Sequence, residues 1–467
     1  MVSDAKLKEL QNLTWELPHI YKIEPGLIPL ADEFAKGYKY FLDQGKTERE
    51  CVREAEILLK KAGYQPFSLG KKYQAGDKFY CVNRNKAMIF GTLGTQDLEK
   101  GIHLSVAHID SPRLDLKQVP LYEDHDIGLA KTHYYGGVRK YQWGATPLAL
   151  HGIVVKANGE VVEISIGEKE DEPVFCVTDL LPHLAQQQNK RTLEEGLKGE
   201  ELNLLVGSIP YFEDTELKEK VKLNILVLLN ERYGITERDL ARAEIEIVPA
   251  AKARDVGFDT SLIGSYGQDD RVCAYAALMA EIETKNPKYT SLCVLADKEE
   301  IGSTGNTGLD SFYLLHFLED LAENQGANAR QVMRNSKCLS ADVGVAYDPT
   351  FPEVVDSRNC AYMNRGCILM KYTGSRGKGG SSDTSAEYLG YLTRLLDQNK
   401  VFWQTGELGA VDVGGGGTVA KYVASLNMEV IDIGVPVLSM HSPFELTAKL
   451  DVYQLFQALK CFAADEA

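Results

Sequence analysis

Residues 104–113, LSVAHIDSPR, join an apolar run to polar residues at its end. The run predicts a buried strand that ends in His108, Ile109 and Asp110. Because side chains alternate along a strand, His108 and Asp110 point to the same side, where the Asp110 carboxylate can accept the second ring N–H of a metal-bound histidine. Open α/β sheets gather their functional residues at such strand ends. The stretch therefore predicts an α/β sheet with a metal site at its edge.

Four further segments place carboxylates or a histidine beside an apolar run or a predicted helix: SLCVLADKEEIGS (291–303), CLSADVGVAYDP (338–349), VIDIGVPVLSMHSPFE (430–445) and GSYGQDDRVCAYAALMAEIE (264–283). The first carries Glu299 and Glu300, the second Asp342 and the third His441. The fourth places Asp269 just before an Ala-rich predicted helix. Any one of these residues is usually structural, but five separate segments with the right side chains together indicate a metal site.

The residue types suit two divalent ions. Two such ions lie roughly 3.5–4 Å apart in known sites, and a shared carboxylate lowers their repulsion. Imidazole and carboxylate ligands together favour zinc, with manganese or cobalt as substitutes. We therefore expect two ions per subunit, in a hydrolase.

The order of these segments resembles that of the co-catalytic zinc aminopeptidases and, within them, most closely the aspartyl aminopeptidase family. The matching motifs span nearly the whole chain: AHIDSP (107–112), GQDDR (267–271), DKEEIGS (297–303), SADVGVAYDP (340–349), NRG (364–366) and the stretch 434–445. The resemblance implies that Asp269 bridges the two ions. It implies that His108 and Asp342 complete one site, and Glu300 and His441 the other.

The resemblance also implies a reaction. Glu299 is the implied general base, which takes a proton from the attacking water and passes it to the leaving amine. Asp110 is implied to orient His108, and the peptide bond between Asp269 and Asp270 to be cis. The implied substrates are peptides with a free N-terminal amine, and the implied preference is for aspartate or glutamate at that end.

An acidic substrate residue requires a cation in its pocket. The local candidates are Lys371, Arg376 and Lys378, beside or within the glycine-rich segment GSRGKGGSSDTS (374–385), although solvated surface charges are an equally good interpretation. The family is thought to place a histidine across the dimer, but Gln187 occupies that position here. His183 lies one helical turn earlier, so either His183 takes this role or the contact is absent.

Composition restricts the class of protein. The chain has 467 residues, 44% of them hydrophobic, which allows two or three domain-sized units with large cores. A net charge of −16 argues against nucleic acid or an anionic membrane as partner. Nine dispersed cysteines without a CxxC pair indicate reduced, buried thiols. With no signal-peptide pattern or transmembrane-length apolar run, we expect a cytoplasmic protein.

The chain divides into two kinds of segment. Residues 1–113 and 248–467 alternate predicted strands and helices, which favours an α/β catalytic domain with a mixed sheet flanked by helices. Residues 114–247 hold short strand-like runs between acidic turns, which predicts an inserted β-rich domain. The resemblance makes the insert a dimerisation domain and implies a homo-oligomer, a dodecamer built from dimers.

Local patterns predict individual elements. Helices are expected at 27–44, 46–64 and 451–465, and the second should open with a capping box formed by Thr47 and Glu50. A hairpin is expected at 78–94 and a strand at 101–108, with His103 packed inside that strand.

Two other functions remain open from the residues alone. An N-acyl deacylase or a carboxypeptidase would use the same metal ligands, and the need for a free α-amine separates it from an aminopeptidase. A non-catalytic, metal-stabilised assembly protein would also keep the ligands, but it has no use for Glu299. The glycine-rich segments 374–385 and 412–421 fit neither common phosphate-loop pattern and predict tight turns.

Overall fold

The computed structural model of the chain describes residues 6, 10, 13–213 and 216–466. Its strands, numbered β1–β21 in chain order, form sheets of nine, seven and five strands. The fold class is confirmed, because helices flank a large mixed sheet. Within the described residues, none of the helices combines the length and the apolar content needed to cross a bilayer.

The nine-stranded sheet is mixed, with parallel strands at its centre. Its spatial order is β1 (Gln65–Pro66), β2 (Lys78–Asn83), β3 (Ala87–Thr92), β14 (Thr290–Ala296), β4 (Ile102–His108), β15 (Lys337–Ala341), β19 (Glu429–Gly434), β17 (Cys367–Met370) and β18 (Trp403–Thr405). Strands β14, β4, β15 and β19 are parallel neighbours. Their carboxyl ends therefore lie side by side at one edge of the sheet.

Helices pack on both faces of this sheet. One face carries α2 (Ile28–Gln44), α3 (Glu48–Lys61), α6 (Gln268–Glu283), α9 (Ala386–Gln398) and α11 (Lys449–Ala463), and the other carries α7 (Tyr313–Gln325), α8 (Ala329–Arg334) and α10 (Ala420–Ala424). The short helix α1 (Ile20–Ile23) packs near the start of α11. Alternate residues of β14 serve the two cores, since Cys293 faces one and Val294 the other. This double cover explains why the central strands are continuous apolar runs.

The seven-stranded sheet is antiparallel. Its spatial order is β8 (Val161–Ile166), β7 (Leu148–Val155), β11 (Ala243–Pro249), β5 (Arg113–Asp124), β6 (Ile127–Tyr135), β10 (Leu204–Gly207) and β9 (Cys176–Val177). Helices α4 (Lys220–Tyr233) and α5 (Glu237–Leu240) lie within the same part of the chain. The sheet has its own core, in which Trp143 is fully buried.

The five-stranded sheet is the smallest. Its order is β12 (Arg254–Val256), β13 (Leu262–Ser265), β21 (Glu445–Ala448), β20 (Pro436–Leu438) and β16 (Gly344–Val345). In the pairing of β13 with β21, Ser265 lies opposite Glu445. The sheet thereby holds the start of α6 close to the segment that follows β20.

Most local predictions are confirmed. The structure has the helices at 28–44 and 48–61, the hairpin of β2 and β3, and the strand ending at His108. The capping box is formed, because Thr47 Oγ1 accepts a hydrogen bond from Glu50 N at 3.3 Å and Glu50 Oε2 accepts one from Thr47 N at 3.2 Å. The last helix begins at Lys449, two residues before the predicted start. The expectation of buried thiols is wrong in part, because three of the nine free cysteines are only half-buried: Cys81, Cys176 and Cys461.

His103 provides a test of the packing inside β4. It is 3% exposed, its ring centroid lies 4.7 Å from that of Phe462, and its Nδ1–H donates to the Phe462 carbonyl oxygen at 2.8 Å. Burial, with Lys337 nearby, lowers the pKa of His103 to about 4. In the unfolded chain the pKa of histidine is about 6.5, so between pH 6.5 and 4 the unfolded state binds a proton that the folded state excludes. Stability should therefore fall as the pH falls through this window.

We expect His103→Asn, which keeps a donor for Phe462, to lose less free energy of unfolding than the wild type between pH 7 and pH 5. The two losses should differ by about 2 kcal/mol, because the window between pH 6.5 and pH 5 spans about 1.5 pH units and each unit contributes about 1.4 kcal/mol. Urea unfolding at the two pH values measures it, and titration of all other groups is common to both proteins. Equal losses in the two proteins would show that His103 is not held neutral.

Candidate metal centre

Three parallel strands deliver ligand-type side chains to one edge of the nine-stranded sheet. His108 is the last residue of β4, and Asp342 directly follows β15. Glu299 and Glu300 lie in the short 3₁₀ turn after β14. Because these strands are neighbours with their carboxyl ends at the same edge, the four side chains converge.

The five-stranded sheet delivers two more residues to the same place. Asp269 lies between β13 and the regular part of α6, since neither Asp269 nor Asp270 has helical backbone angles. His441 lies three residues after β20. The peptide bond between Asp269 and Asp270 is cis, as the family resemblance implies.

The Asp269 carboxylate lies between two imidazole rings. Its Oδ1 is 3.1 Å from His108 Nε2, and its Oδ2 is 3.0 Å from His441 Nε2. Each oxygen of one carboxylate thus faces a different histidine. This arrangement suits a carboxylate that bridges two cations, one at each oxygen.

The remaining carboxylates extend the cluster on both sides of Asp269. His108 Nε2 lies 3.9 Å from Asp342 Oδ1 and 3.9 Å from Glu299 Oε2. His441 Nε2 lies 3.5 Å from Glu300 Oε1. The grouping of Asp342 with His108, and of Glu300 with His441, agrees with the pairs of ligands that the resemblance implies.

Several atoms of the cluster are buried without a hydrogen-bond partner: His108 Nε2, Asp269 Oδ1, Asp270 Oδ1 and Glu300 Oε1. Buried polar atoms are normally paired, because an unpaired one costs about 1–3 kcal/mol. Two sets of three residues, His108–Asp269–Glu300 and His108–Asp270–Asp342, offer ligand atoms that all lie within 4.8 Å of one another. Unpaired imidazole nitrogen and carboxylate oxygen atoms at this spacing fit divalent cations such as zinc.

The pKa values of the clustered carboxyl groups also indicate a cation site. Burial raises the pKa of Glu300 and Asp342 well above the usual range, with neighbouring carboxylates adding to the effect, and it raises the pKa of Glu299 to about 7. Asp269 differs, because the neighbouring imidazole rings of His108 and His441 outweigh the effect of burial and lower its pKa. So many acidic groups out of water are costly unless positive charge lies among them. Divalent cations would supply that charge.

Two further carboxylates, those of Asp110 and Glu445, accept hydrogen bonds from residues of the cluster. Asp110 accepts hydrogen bonds from the backbone N–H groups of Glu299 and Glu300 at 3.1 and 3.2 Å. The Nδ1 atom of His108 lies 3.0 Å from the Asp110 carbonyl oxygen and 3.3 Å from its carboxylate. Both of these are acceptors, so Nδ1 carries a proton, and Nε2 is the nitrogen left to bind a cation.

Glu445 is the second supporting carboxylate, and sequence reasoning missed it. It accepts hydrogen bonds from the backbone N–H of His441 at 2.6 Å and from that of Asp269 at 3.3 Å. A signal was present, because Glu445 is the last residue of the matching stretch 434–445. Asp270 was also missed as a member of the cluster, although it stands in the quoted motif GQDDR.

The structure does not bring the predicted substrate-binding residues into the cluster. Lys371 Nζ and Lys378 Nζ lie 3.9 and 3.0 Å from the two carboxylate oxygens of Asp383. His183 is exposed in the short turn Pro182–Leu184. Within the described part of the chain, none of these three side chains forms a hydrogen bond or an ion pair with a residue of the metal centre.

A different lysine borders the centre. A cavity of about 330 Å³ adjoins Glu299 and Glu300, and its other lining residues are Gly302, Ser303, Gly417, Thr418, Lys421 and Tyr422. Tyr422 OH donates a hydrogen bond to the Gly302 carbonyl oxygen at 2.8 Å, which joins the two walls. Lys421 ends the glycine-rich segment 412–421, but only the tertiary structure places this residue beside the Glu299–Glu300 pair.

Comparison with known proteins identifies relatives that match nearly the whole chain. The family model described as "Aminopeptidase I zinc metalloprotease (M18)" matches residues 41–463. "Probable M18 family aminopeptidase 1" from Clostridium acetobutylicum is 47% identical over 443 residues, which cover 93% of this chain and 95% of the relative. The crystal structure of an M18-family aminopeptidase from Thermotoga maritima has a TM-score of 0.92 and 42% identity, covering 97% of this chain and 100% of that one.

A more distant structure, the mApe1 dodecamer of S. cerevisiae, has a TM-score of 0.74 and 23% identity, covering 93% of this chain and 96% of that one. At this identity the likeness concerns the fold alone.

Removal of metal should show how much the bound ions stabilise the fold and whether this stabilisation requires the Asp269 carboxylate. A ligand that binds only the folded state stabilises it, by about 2.7 kcal/mol at a concentration one hundred times its Kd. We expect a chelator to lower the unfolding temperature of the wild type by several degrees. Asp269→Asn should lose most of this response, because a neutral amide with one oxygen cannot neutralise two cations.

Differential scanning fluorimetry with and without chelator measures both effects. Asp126→Asn is the matched control, since Asp126 is an exposed carboxylate in the turn between β5 and β6. An equal response of the two variants to the chelator would contradict the assignment of Asp269.

Proposed function

Since the chain belongs to the M18 family of zinc metallo-aminopeptidases, we propose that this hydrolase uses two divalent ions to remove the N-terminal residue of peptides. The position of the Asp269 carboxylate carries this proposal, because each of its oxygens faces a different histidine. A site for one ion has no need of such a carboxylate.

Five side chains would hold the ions. Asp269 would bridge them, with His108 and Asp342 on one side and Glu300 and His441 on the other. When bound, the two ions, most simply zinc, supply Lewis acidity that activates water and polarises the scissile carbonyl. Cobalt and manganese suit the same nitrogen and oxygen atoms.

Glu299 is the proposed general base. Its carboxylate is half-buried at the edge of the cluster, 3.9 Å from His108 Nε2, while its backbone N–H is held by Asp110. In this role Glu299 takes a proton from the water whose oxygen bonds to the scissile carbonyl carbon. It then gives the proton to the leaving amine as the carbon–nitrogen bond breaks.

The proposed preference is for aspartate or glutamate at the substrate's N-terminus. Support comes from the family resemblance and from Lys421, the basic residue that lines the cavity beside Glu299 and Glu300. Lys371 and Lys378 stay candidates, but Asp383 already lies close to both of their ammonium groups. A lysine without such a partner attracts a substrate carboxylate more strongly.

We also propose that residues 114–247 form a dimerisation domain and that the chain assembles into a dodecamer built from dimers. The S. cerevisiae mApe1 structure, of the same fold, is a dodecamer. Helix α4, with the sequence KVKLNILVLLNERY, buries only Val221 fully and leaves Leu228 56% exposed. Helices with apolar residues on several sides are usually covered. In such a dimer the exposed His183 would be free to reach the partner's site.

The proposed compartment of the protein is the cytoplasm.

The alternatives make different chemical demands. An N-acyl deacylase would accept a substrate with a blocked α-amine, and a carboxypeptidase would require a free C-terminal carboxylate instead. A non-catalytic assembly protein would bind the metals but hydrolyse nothing. A panel of aminoacyl reporter substrates (Asp, Glu, Leu, Lys and Ala) with an N-acetylated control tests for an aminopeptidase, because none of these alternatives would release the reporter from free-amine substrates while sparing the acetylated one.

We expect Glu299→Gln to keep its metal and to lose hydrolysis, because the amide is close in shape to the carboxylate but cannot accept the proton. General-base catalysis typically contributes 10²–10⁴-fold, so kcat should fall by about that factor. Metal content by mass spectrometry and release of the reporter amine measure the two properties. Glu319→Gln, at an exposed glutamate of α7, is the control. Retained hydrolysis would exclude Glu299 as the base.

We expect Lys421→Gln to lower kcat/KM for Asp and Glu substrates about fivefold to tenfold relative to Leu substrates. An ion pair in a partly solvated site contributes on the order of 1 kcal/mol, which is the basis of this range. Lys371→Gln and Lys378→Gln test the competing candidates, and Lys285→Gln, at an exposed lysine, is the control. An unchanged ratio in Lys421→Gln would remove this residue from the substrate pocket.

A further inference from the structure

The metal centre receives contacts from the seven-stranded sheet as well as from the two sheets that supply its ligands. These contacts come from the end of β6 and the residues after it, Tyr135, Gly136 and Gly137, a segment that we call the β6 turn. These residues lie within the proposed dimerisation domain.

The first contact holds Asp110. Tyr135 OH donates a hydrogen bond to Asp110 Oδ2 at 2.8 Å, and the same oxygen accepts the backbone N–H of Glu300 at 3.2 Å. Asp110 is 1% exposed, so its carboxylate depends on protein donors. Among its donors described above, only Tyr135 comes from outside the nine-stranded sheet and its loops. Hence Tyr135 restrains the Asp110 carboxylate, and that carboxylate in turn restrains the backbone of Glu299 and Glu300.

The Tyr135 ring is itself firmly held. Arg113 is its partner across strands β5 and β6, and the guanidinium carbon lies 3.9 Å from the centroid of the ring. Arg113 is fixed in turn by Asp115 at 2.9 Å and Glu246 at 3.2 Å. A phenol held in this way presents its hydroxyl group at a defined point, which is what a positioning residue requires.

The next two residues contact the ligand-type side chains on the other side of the cluster. The Gly137 carbonyl oxygen accepts a hydrogen bond from His441 Nδ1 at 2.9 Å, which leaves Nε2 to face Asp269. A methyl group on Gly137 would lie 3.1 Å from His441 Nδ1, and one on Gly136 would lie 3.2 Å from Glu300 Cβ. At these distances an added methyl group would push the neighbouring side chain by a few tenths of an ångström, and the positive φ of Gly136, 72°, also favours glycine there.

We propose that the β6 turn forms one wall of the metal centre, with Tyr135 as a positioning residue for metal binding through Asp110. The inference rests on the proposed metal site and gives the seven-stranded sheet a second role beside dimerisation. Residues that orient metal ligands typically contribute tenfold to a hundredfold to metal affinity. We therefore expect the affinity for zinc to depend on the Tyr135 hydroxyl group even in the absence of substrate.

Tyr135→Phe tests this, with Tyr134→Phe as the matched control, because Tyr134 is the preceding residue of β6 and is 40% exposed. We expect competition with a chromogenic chelator to show zinc affinity lowered about tenfold to a hundredfold in Tyr135→Phe and unchanged in Tyr134→Phe. Excess zinc should restore most of the activity, and the unfolding temperatures of the chelated variants should be similar. Equal zinc affinities of the two variants would overturn the inference.

Gly137→Ala is a second variant in case Tyr135→Phe does not fold. Its methyl group would press on His441, whereas Gly377→Ala, with open space around the added methyl, is the control. Lower zinc affinity in Gly137→Ala alone supports the inference, and equal affinity in both overturns it. Failure of the wild type to bind zinc would instead overturn the proposed function, so the two failures are distinguishable.

Discussion

The contact of the Asp269 carboxylate with two histidines is the constraint on which the rest of the structure depends. One oxygen lies 3.1 Å from His108 and the other 3.0 Å from His441, so each histidine must arrive from its own side. His108 ends a strand of the nine-stranded sheet, and His441 follows a strand of the five-stranded sheet. The two sheets must therefore meet at a fixed position, and Glu445 maintains it by accepting the backbone N–H groups of both Asp269 and His441.

The same arrangement explains the many charged groups that the protein keeps out of water. Burial raises the pKa of Glu300, Asp342 and Asp270, which shows how costly their ionised forms are without nearby cations. The supporting contacts are mainly hydrogen bonds from backbone N–H groups to carboxylates, which fix position without adding charge. In an M18 aminopeptidase such a cluster is the expected surrounding of a metal centre. Binding and folding are then coupled, since only the folded chain assembles the cluster.

Much of the fold could be predicted from local pattern. The apolar run that ends at His108 is a buried strand, and the capping box at Thr47 and Glu50 opens a helix. These elements depend on neighbours a few residues away, so the sequence displays them directly. The final helix begins at Lys449 rather than near residue 451, a difference no larger than the one or two residues by which helix ends usually vary. In the centre, all six residues expected to bind metal or act as base do lie together, but resemblance to a family, rather than spacing, supplied their pairing.

The sequence by itself determined which residue types stand at the ends of strands, because side-chain alternation and apolar runs are local properties. Tertiary structure alone decided which distant groups meet. The Gly137 carbonyl oxygen meets His441 across 304 residues of chain, and Tyr135, the last residue of β6, meets Asp110 in the loop that follows β4. It also placed Asp383 3.0 Å from Lys378 and carried Lys421, in α10, to the cavity beside Glu299 and Glu300. Contacts of this kind depend on how whole sheets pack, and no short stretch of sequence encodes that packing.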